Sequence, residues 1–370
     1  MIKNKTLLIL VIIFIVFSTN AVAEELPNID AKAYVLMDTT TGRILEGKNE
    51  DEKRAMASTT KIMTAIIALE KGDLASIVEV SKKAASIRGS SFHLSRGEKI
   101  PLETMLYGLL LCSGNDAAVA IAEHIGESQE NFVQMMNQKA IEIGALNTNF
   151  KNPHGLDEPN HFTTTKDLAI IARYALDIPK FREIVGSREK LITRGDKTGT
   201  IYNTNKLLWS FENATGIKTG YTGKAGRCLV ASAYKNGFEL ISVVLGSPSN
   251  FNSSYKLLNF GFTKYQLRQI IKKDNIVKSI PVKKGILKEA PLIIEKDIIL
   301  PIVDDESLSI KYLLPEEIKA PVEKNQKIGE LAVYINSIHV YSVPLISLET
   351  VKQKSFMDNI FLIIKQWLSI

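Results

Sequence analysis

The chain has 370 residues, of which 45% are hydrophobic and 23% are charged. These proportions exclude a largely disordered chain, and a globular chain of this length usually divides into two domains. Lysine and arginine total 46 against 40 acidic residues, which gives a net charge of +6. Because this excess is mild and no arginine-rich helix is present, nucleic acid is not an expected partner, whereas an anionic wall or lipid surface is compatible.

The first 23 residues have the pattern of a secretory signal peptide. Lys3 and Lys5 precede an apolar run over residues 7–17, and the small residues at 21–23 resemble a cleavage site. The apolar run falls well short of the roughly 20 residues that span a bilayer, so a transmembrane anchor is the weaker alternative. We therefore predict that residues 1–23 are removed and that the mature protein is exported.

The pattern of residues 24–271 predicts an α+β domain. Residues 33–47 read as two strands joined by a turn that contains Thr and Gly, and an apolar helix is expected over residues 58–69. Residues 101–143 carry further helix signals, interrupted by a loop at 112–115. The order of these elements places strands first and a cluster of helices after them.

Strand patterns return from Gly216 onward. Three runs of apolar and β-branched residues follow, and Asn236-Gly237 between the last two is typical of a type I′ hairpin turn. Sequential strands joined by tight turns pair antiparallel. We therefore predict one antiparallel sheet, completed by the strands near the N-terminus, with a helical cluster from residues 58–200 packed on it.

The composition changes again near Lys272. Residues 272–350 contain short β-rich runs separated by charged or Pro/Gly turns, without a helical period, which predicts a small all-β sandwich domain. In the last segment, 351–370, the stretch 355–370 has a wide apolar face and interior charges. It is too short and too polar to span a bilayer, so we expect an amphipathic helix on the membrane surface; a helix docked on its own protein is the alternative. The predicted location is the outer face of the cytoplasmic membrane and the cell-wall space.

Cysteine and histidine give no sign of a cofactor site. Cys112 and Cys228 are too few for a disulfide framework and are expected to be small buried thiols. The five histidines lack paired ligand spacing, so neither a metal nor another cofactor is expected. The sequence NPHGLD at 152–157 resembles a turn beside a cleft, and His154 is given no catalytic role.

Ser58 lies three residues before Lys61 at the head of the apolar helix. At this helical spacing the two side chains share one face, where a lysine can accept the proton of a serine hydroxyl. The lysine must be neutral to do so, which requires its pKa to fall from about 10.4 to about 7–8 through burial and nearby positive charge. A Ser58 that only caps the helix is the alternative interpretation.

Short motifs recur by chance, so context must select among their copies. The pattern Ser-x-x-Lys recurs at three other places, which begin at Ser187, Ser232 and Ser253. Of the four copies, only Ser58 begins a strongly apolar helix. Lys-Thr-Gly occurs at 197–199, in a segment expected to be a turn, and at 218–220, on a predicted strand. We therefore select Ser58 and the copy at 218–220.

With these choices the chain carries Ser-Thr-Thr-Lys at 58, Ser-Gly-Asn at 113 and Lys-Thr-Gly at 218. This set, in this order, resembles the penicillin-recognising serine enzymes. The flanking sequences "LLLCSGNDAAVAIAEHIG" and "GIKTGYTGKAGRCLVASA" look like those of the D-alanyl-D-alanine carboxypeptidases, the low-molecular-weight penicillin-binding proteins of serine peptidase family S11. The resemblance covers residues 28 to about 348 and implies a β-lactamase/transpeptidase-like domain. Members of that family also have a β-rich C-terminal domain and an amphipathic membrane tail, which the predicted second domain and tail of this chain resemble.

The resemblance implies a reaction and a role for each residue of the first two motifs. Ser58 would attack the peptide bond between the terminal D-alanines of a peptidoglycan stem pentapeptide, with Lys61 as general base, and water would release the acyl-enzyme. Ser113 would relay a proton to the leaving amine, and Asn115 would hold Lys61 and the substrate backbone. Read alone, Ser113 and Asn115 could instead be caps of the following helix.

The third motif is expected to bind the substrate. Lys218 and the hydroxyl of Thr219 would bind the terminal carboxylate, and Gly220 belongs to the same substrate-binding strand. The backbone N–H groups of Ser58 and Tyr221 would form the oxyanion hole. Read alone, Gly220 could mark a β-bulge and Lys218 could be a solvated strand lysine.

Three other functions compete with this interpretation. A class A β-lactamase needs a carboxylate base in an E-x-x-L-N loop, and Glu158 in "LDEPNHF" lacks that context. Penicillins are therefore expected to acylate Ser58 and remain bound as covalent inhibitors. A D,D-endopeptidase on peptide cross-links would use the same residues and stays open. An inactive wall-binding module is disfavoured because the motif residues are intact.

Overall fold

The computed structural model of the chain describes residues 25–357 and 360. The predicted signal peptide and most of the predicted tail helix lie outside the described residues. In chain order, the strands of the first part are β1 (Ala33–Asp38), β2 (Ile44–Lys48), β3 (Ile77–Glu79), β4 (Lys99–Pro101), β5 (Glu189–Arg194), β6 (Lys197–Tyr202), β7 (Ala214–Thr222), β8 (Gly226–Lys235) and β9 (Phe238–Leu245). Its helices are α1 (Lys61–Lys71), α2 (Lys82–Ser86), α3 (Leu102–Leu110), α4 (Asn115–Gly126), α5 (Gln129–Glu142), α6 (Thr165–Leu176), α7 (Pro179–Gly186), α8 (Leu207–Ser210) and α9 (Asn250–Lys264).

A five-stranded antiparallel sheet forms the centre of this part, in the order β2-β1-β9-β8-β7. The N-terminal strands complete the sheet because β1 pairs with β9 along its whole length. Helices α1, α3 and α4 share a core with one face of the sheet, and α9 packs on the other face. This arrangement confirms the predicted α+β class. It leaves β7 as an edge strand, with one row of backbone groups free to pair.

A single turn of 3₁₀ helix, Ala57–Thr60, precedes α1 and carries Ser58. The hydroxyls of Thr59 and Thr60 bind back to the carbonyls of Met56 and Ala57, at 2.6 and 2.9 Å. Bonds that reach back three residues favour the tighter 3₁₀ geometry. The α-helix expected over 58–69 therefore begins three residues later than predicted, while α1 itself is buried along most of its length.

The hairpins differ in how well their turns were predicted. Asn236 and Gly237 both have positive φ, 51° and 85°, as a type I′ turn requires, and they join β8 to β9. The turn predicted for the segment at 194–200 is present but shorter than predicted. The turn lies at residues 195–196, and Lys197 opens β6, which pairs with β5.

The regular elements of the second part are all strands between residues 266 and 347. Its strands are β10 (Gln266–Ile271), β11 (Lys278–Lys283), β12 (Glu289–Ile293), β13 (Ile298–Ile302), β14 (Leu308–Leu313), β15 (Ile318–Lys319), β16 (Lys327–Ile335) and β17 (Ile338–Ser347). Six strands form one sheet in the order β14-β16-β17-β12-β11-β15, and β10 pairs with β13. A separate apolar core lies within this part.

The ends of the second part bear on the predicted boundaries at 272 and 350. Strand β10 precedes residue 272 but pairs with β13, which favours a start near residue 265. Val351 and Gln353 form bridges with Val322 and Gly285, which favours an end near residue 353. Both boundaries stay predictions. In residues 25–357 and 360, no helix is long and apolar enough to cross a membrane.

Candidate active site

Ser58 and Lys61 are brought together at the start of α1. Lys61 Nζ lies 2.9 Å from Ser58 Oγ. Neither the 3₁₀ turn nor α1 has a side-chain cap, so Ser58 does not act as the helix cap. The tight turn places the hydroxyl over the amine at the mouth of a cavity, an arrangement that a serine nucleophile with its own base requires.

Lys61 is fully buried and has three polar neighbours. Besides Ser58, its Nζ donates to Asn115 Oδ1 at 2.7 Å and to the backbone carbonyl of His154 at 2.7 Å. The amide orientation of Asn115 is fixed because its Nδ2 donates to the carbonyl of Arg88 at 2.6 Å. Two of the three neighbours can only accept a hydrogen bond, and only the Ser58 hydroxyl can donate one. A neutral amine, with two N–H groups and one lone pair, satisfies all three.

The electrostatics of the cleft favour that neutral state. Burial, and then the positive charge of Lys218, hold the pKa of Lys61 well below its usual value, while Asp116 acts in the opposite direction. Lys218 is itself 1% exposed, and burial lowers its pKa to about 7. The positive charge of Lys218 therefore disfavours protonation of Lys61, as a lysine that acts as a base would require.

A cavity of about 400 Å³ opens above these groups. It is lined by Ser58, Ser90, Ser113, Thr204, Lys206, Thr219, Gly220, Tyr221, Arg227, Asn250 and Phe251. Most of the residues predicted for the site therefore face one space, with Lys61, Asn115 and Lys218 buried beneath it. A larger cavity, of about 560 Å³, lies beside the β5–β6 hairpin and contains none of the predicted residues except the rejected Lys-Thr-Gly copy.

Ser113 stands slightly apart from the Ser58–Lys61 pair. It is 5% exposed and lines the cavity, with φ of 61° in the left-handed region. Its neighbour Asn115 is the first residue of α4, which has no side-chain cap, so neither residue serves as the cap considered above. In the described part of the chain, no hydrogen bond joins Ser113 to Ser58 or Lys61.

Gly220 lets the edge strand approach the 3₁₀ turn. A Cβ at this position would lie 3.0 Å from the backbone nitrogen of Ser58 and 3.2 Å from the carbonyl of Met56. Tyr221 follows it, so the backbone N–H groups of Ser58 and Tyr221 belong to segments in direct contact. The hydroxyl of Thr219, one residue earlier on the same strand, lies 2.9 Å from that of Thr204.

Two contributors to the site were not identified from the sequence. The first is the backbone carbonyl of His154, which binds Lys61 and comes from the turn at 152–157. That turn packs tightly on the 3₁₀ turn, because a Cβ at Gly155 would lie 1.9 Å from the carbonyl of Ala57. Residue type does not identify a backbone acceptor, so the sequence predicted the turn beside the cleft but not its contact with the base.

The second contributor is Asp116, a buried carboxylate directly after the Ser-Gly-Asn motif. It accepts hydrogen bonds from Ser91 Oγ at 2.6 Å, from the backbone of Phe92 at 2.8 Å and from that of Leu94 at 3.0 Å. These bonds tie the loop that carries Ser90 to the beginning of α4. An acidic residue in a first helical turn is common for dipole reasons, so its type and position gave no reason to single it out.

The two thiols are free, as expected, but only Cys228 is fully buried. Cys112 is half-buried, so the expectation of two buried thiols was wrong for this residue. It lies close enough to Lys218 for the two groups to influence each other's pKa, although burial is the main reason that the pKa of the Cys112 thiol is raised.

Comparison with known proteins gives the family. A family model described as D-alanyl-D-alanine carboxypeptidase, peptidase S11, matches residues 20–249, and one described as the C-terminal domain of penicillin-binding protein 5 matches residues 265–353. The chain is 37% identical over 340 residues to the D-alanyl-D-alanine carboxypeptidase DacF of Bacillus subtilis, covering 89% of this chain and 87% of that protein. It is 35% identical over 356 residues to DacC of Escherichia coli, covering 91% and 88%.

A solved structure agrees with these relatives. The fold is similar to that of penicillin-binding protein 5 from Haemophilus influenzae, with a TM-score of 0.76 and 32% identity, covering 88% of this chain and 99% of that one. The predicted catalytic domain followed by a β domain is confirmed, and so is the resemblance inferred from the motifs. The chain belongs to the D-alanyl-D-alanine carboxypeptidase family, the serine peptidases of family S11.

Proposed function

We propose that this carboxypeptidase releases the terminal D-alanine of peptidoglycan stem pentapeptides through an acyl-enzyme on Ser58. The observation that carries the proposal is the Ser58–Lys61–Asn115 cluster, in which Lys61 Nζ lies within 2.9 Å of both partners. Ser58 lines a cavity that Thr219 and Ser113 also line, and Lys61 is buried beneath it. A nucleophile, its base and groups able to bind a terminal carboxylate thus share one space.

The first step is acylation. Neutral Lys61 accepts the proton of Ser58, whose Oγ forms an ester bond with the carbonyl carbon of the penultimate D-alanine. The C–N bond to the last D-alanine breaks, and its nitrogen takes up, through Ser113, the proton that Lys61 accepted. We assign Asn115 to orienting Lys61 and the substrate backbone. In the second step, water attacks the ester and returns the proton to Ser58.

The negative charge on the carbonyl oxygen is stabilised by two backbone N–H groups, those of Ser58 and Tyr221. Close packing at Gly220 supports this assignment, because it brings the edge strand against the 3₁₀ turn. Donors fixed in this way need no rearrangement during the reaction, which is the source of their catalytic effect.

Recognition of the leaving D-alanine falls to Lys218 and Thr219. Lys218 is a buried residue of β7, and binding of a terminal carboxylate would favour its protonated form. The Thr219 hydroxyl faces the cavity beside Thr204. A carboxypeptidase substrate presents its free terminal carboxylate at this place.

Penicillins acylate Ser58 in this scheme and are released slowly. No Asp or Glu lines the catalytic cavity, among the residues described. Glu158, the acid considered for a β-lactamase, accepts a hydrogen bond from Asn152 at 3.2 Å within its own turn. A carboxylate base for rapid hydrolysis of the drug is therefore missing from the lining.

We extend the proposal to the ends of the chain. Residues 1–23 act as an export signal, residues 24–271 form the catalytic domain and residues 272–350 form the β domain. The pairing of β10 with β13 supports moving the start of the β domain to about residue 265, and the bridges of Val351 and Gln353 support moving its end to about residue 353. Residues 351–370 hold the enzyme on the outer face of the cytoplasmic membrane. Support comes from the charge and apolar patterns of the two terminal segments.

The test is labelling of the purified chain with a fluorescent penicillin, together with D-alanine release from a stem pentapeptide. Both are expected for the wild type, and both should be lost in Ser58→Ala. Labelling without release would point to an endopeptidase or another acceptor. Release of hydrolysed drug within seconds would point to a β-lactamase, and persistence of labelling in Ser58→Ala would show that Ser58 is not the nucleophile.

A further inference from the structure

A second cavity, of about 410 Å³, adjoins the catalytic cavity at the end of β7. It is lined by Lys32, Tyr221, Gly223, Lys224, Gly226, Arg227, Gly246, Ser247 and Pro248. Tyr221 and Arg227 line both cavities and are cross-strand partners in the sheet, so the two spaces lie side by side at the sheet edge. We call the second space the basic groove, after its cations Lys32, Lys224 and Arg227.

The basic groove is lined by three cations that have no ion-pair partner in the described chain, although Arg227 donates a hydrogen bond to the backbone carbonyl of Pro248 at 3.3 Å. All three side chains are exposed. No Asp or Glu lines either cavity, and none of the three cations takes part in an ion pair with another residue of the described chain. Asp157 lies beside the groove, where its carboxylate accepts hydrogen bonds from Thr222 Oγ1 at 2.8 Å and from the backbone N–H of Lys224 at 3.4 Å. A ligand with negative charge would therefore find three cations without a salt-bridge partner here.

The direction of the substrate follows from the proposed roles of β7. Thr219 binds the terminal carboxylate, and the backbone N–H of Tyr221 donates a hydrogen bond to the scissile carbonyl. Because the carbonyl precedes the carboxylate in the substrate while Tyr221 follows Thr219 in β7, the substrate runs antiparallel to this edge strand. Addition of an extended peptide to a free sheet edge is a common mode of recognition. The acyl side of the peptide then continues past Tyr221 toward Gly223 and Lys224, which is where the basic groove lies.

Distance along the chain identifies the part of the stem that reaches the groove. An extended peptide advances about 3.3 Å per residue, so a residue two or three positions before the scissile bond lies roughly 7–10 Å beyond Tyr221. Lys224 is three residues beyond Tyr221 in the chain, and Arg227 is the cross-strand partner of Tyr221. In a stem pentapeptide, the glutamate residue with its free α-carboxyl group lies in this range.

We infer that Lys32, Lys224 and Arg227 form a subsite for free carboxylates on the acyl side of the stem, so the enzyme prefers stems with a free glutamate α-carboxylate over amidated ones. The inference rests on the proposed function and specifies its substrate class as an acidic peptide. Exposed charge pairs are individually weak, and salt screens them. The preference is therefore expected to be modest, about three- to tenfold in kcat/KM at low salt.

The experiment compares two N-acetylated pentapeptides, identical except that the glutamate α-carboxyl group is free or amidated. D-alanine release by the full chain gives kcat/KM for each, at low salt and at about 1 M salt, where the Debye length is only about 3 Å. The ratio of the two values is expected to exceed three for the wild type and to approach one at high salt. In K32Q/K224Q the ratio should approach one at low salt, because the loss falls on the free acid.

The control is K235Q/K272Q, which removes two exposed lysines away from the groove and should keep the wild-type ratio. A wild-type ratio of one, or an equal loss on both peptides in K32Q/K224Q, would overturn the inference while leaving the proposed function intact. If the ratio is one, binding of poly(glycerol phosphate) shows what the groove does instead. Binding to the wild type but not to K32Q/K224Q would mean that the groove serves a phosphate polymer, and the inference fails. No release from either peptide would overturn the proposed function itself.

Discussion

Lys61 and Lys218 show how one residue type takes its chemistry from its surroundings. Both are lysines with less than 2% of their surface exposed, and burial is the main cause of the lowered pKa of each. Lys61 has two acceptors and one hydroxyl around it, which suits a base. Lys218 Nζ donates a hydrogen bond to the carbonyl of Thr219 at 3.1 Å, and its protonated form can bind a negatively charged group of a ligand.

The pH dependence of acylation is the first prediction. Because only neutral Lys61 can act as base, the rate of acylation by benzylpenicillin is expected to fall on the acid side of its lowered pKa. Replacing Lys218 by Gln removes a positive charge that lowers this pKa, so the acid limb should move to higher pH. Second-order rate constants measured across the acid limb of the wild type test this. K235Q is the control and should keep the acid limb of the wild type. If the acid limb of K218Q also lies at the wild-type pH, the expected effect of Lys218 on the pKa of Lys61 is contradicted.

Stability against pH is the second prediction. Lys218 has a pKa of about 7 in the folded state and about 10.5 when unfolded, so the unfolded chain binds more protons between these values and stability rises with pH there. Lys218→Met lacks this effect and should be more stable than wild type below the folded pKa. Its advantage should shrink by about 2–3 kcal/mol between about pH 7 and about pH 9.

Urea denaturation at a series of pH values measures this difference. The control is Lys235→Met, an exposed lysine whose replacement should leave the pH dependence as in the wild type. A stability difference between K218M and wild type that does not change with pH would show that Lys218 is already paired with an anion in the folded protein.

At the scale of elements, the site is made by an edge strand pressed against the turn that starts a helix. The same tripeptide, Lys-Thr-Gly, occurs on β7 and on β6, yet only the β7 copy packs on Ala57–Thr60. On β6 the copy is exposed, and a Cβ at Gly199 would have nothing within 4 Å. The two copies therefore form a natural comparison.

Gly220→Ala against Gly199→Ala is the third prediction. The first substitution places a methyl group 3.0–3.2 Å from three atoms of the segment Met56–Ser58. It should reduce penicillin acylation at least tenfold and destabilise the fold by about 1–3 kcal/mol. Gly199→Ala should change neither by much, with stability within about 0.5 kcal/mol of wild type. If the two substitutions change the acylation rate equally, the close contact between Gly220 and the segment Met56–Ser58 is not needed for acylation.

At the scale of the whole molecule, the second part of the chain lies against the first near β2, away from the catalytic cavity. Arg43 donates to the carbonyl of Pro301 at 3.0 Å and forms an ion pair with Glu306. Among the residues that the structure describes, none of those that line the catalytic cavity comes from the second part. Its contribution is therefore expected to concern placement of the enzyme rather than the reaction.

Membrane attachment is the fourth prediction. The full chain should sediment with vesicles that contain anionic lipid, whereas a chain ending at residue 354 should stay in solution, because the apolar face of 355–370 is lost. The full chain and the chain ending at residue 354 should release D-alanine from a soluble pentapeptide at rates within about twofold of each other, since no residue of the tail belongs to the proposed site. In the full chain, I360S/I364S/W367S should lose vesicle binding and Q366A/S369A should keep it. Binding that survives the triple substitution would contradict an apolar anchor.

Local features of the sequence determined much of this protein. The Ser58–Lys61 spacing, the break before Asn115 and the Asn236-Gly237 turn depend on residues close together in the chain, so pattern and propensity predict them. The family followed from the order of three such motifs. Their common reason is that contacts over three or four residues depend on local residue types rather than on the rest of the fold.

Contacts between distant segments were decided only by the tertiary structure. The pairing of β1 with β9, the bond from Lys61 to the carbonyl of His154, and the tether at Asp116 each join residues far apart in sequence. The domain boundary belongs here too, because β10 reads like any other short strand until its partner β13 is known. Above all, burial of Lys218 beside Lys61 depends on how the sheet edge packs on the start of α1. That packing makes both lysines hard to protonate, and no local pattern specifies it.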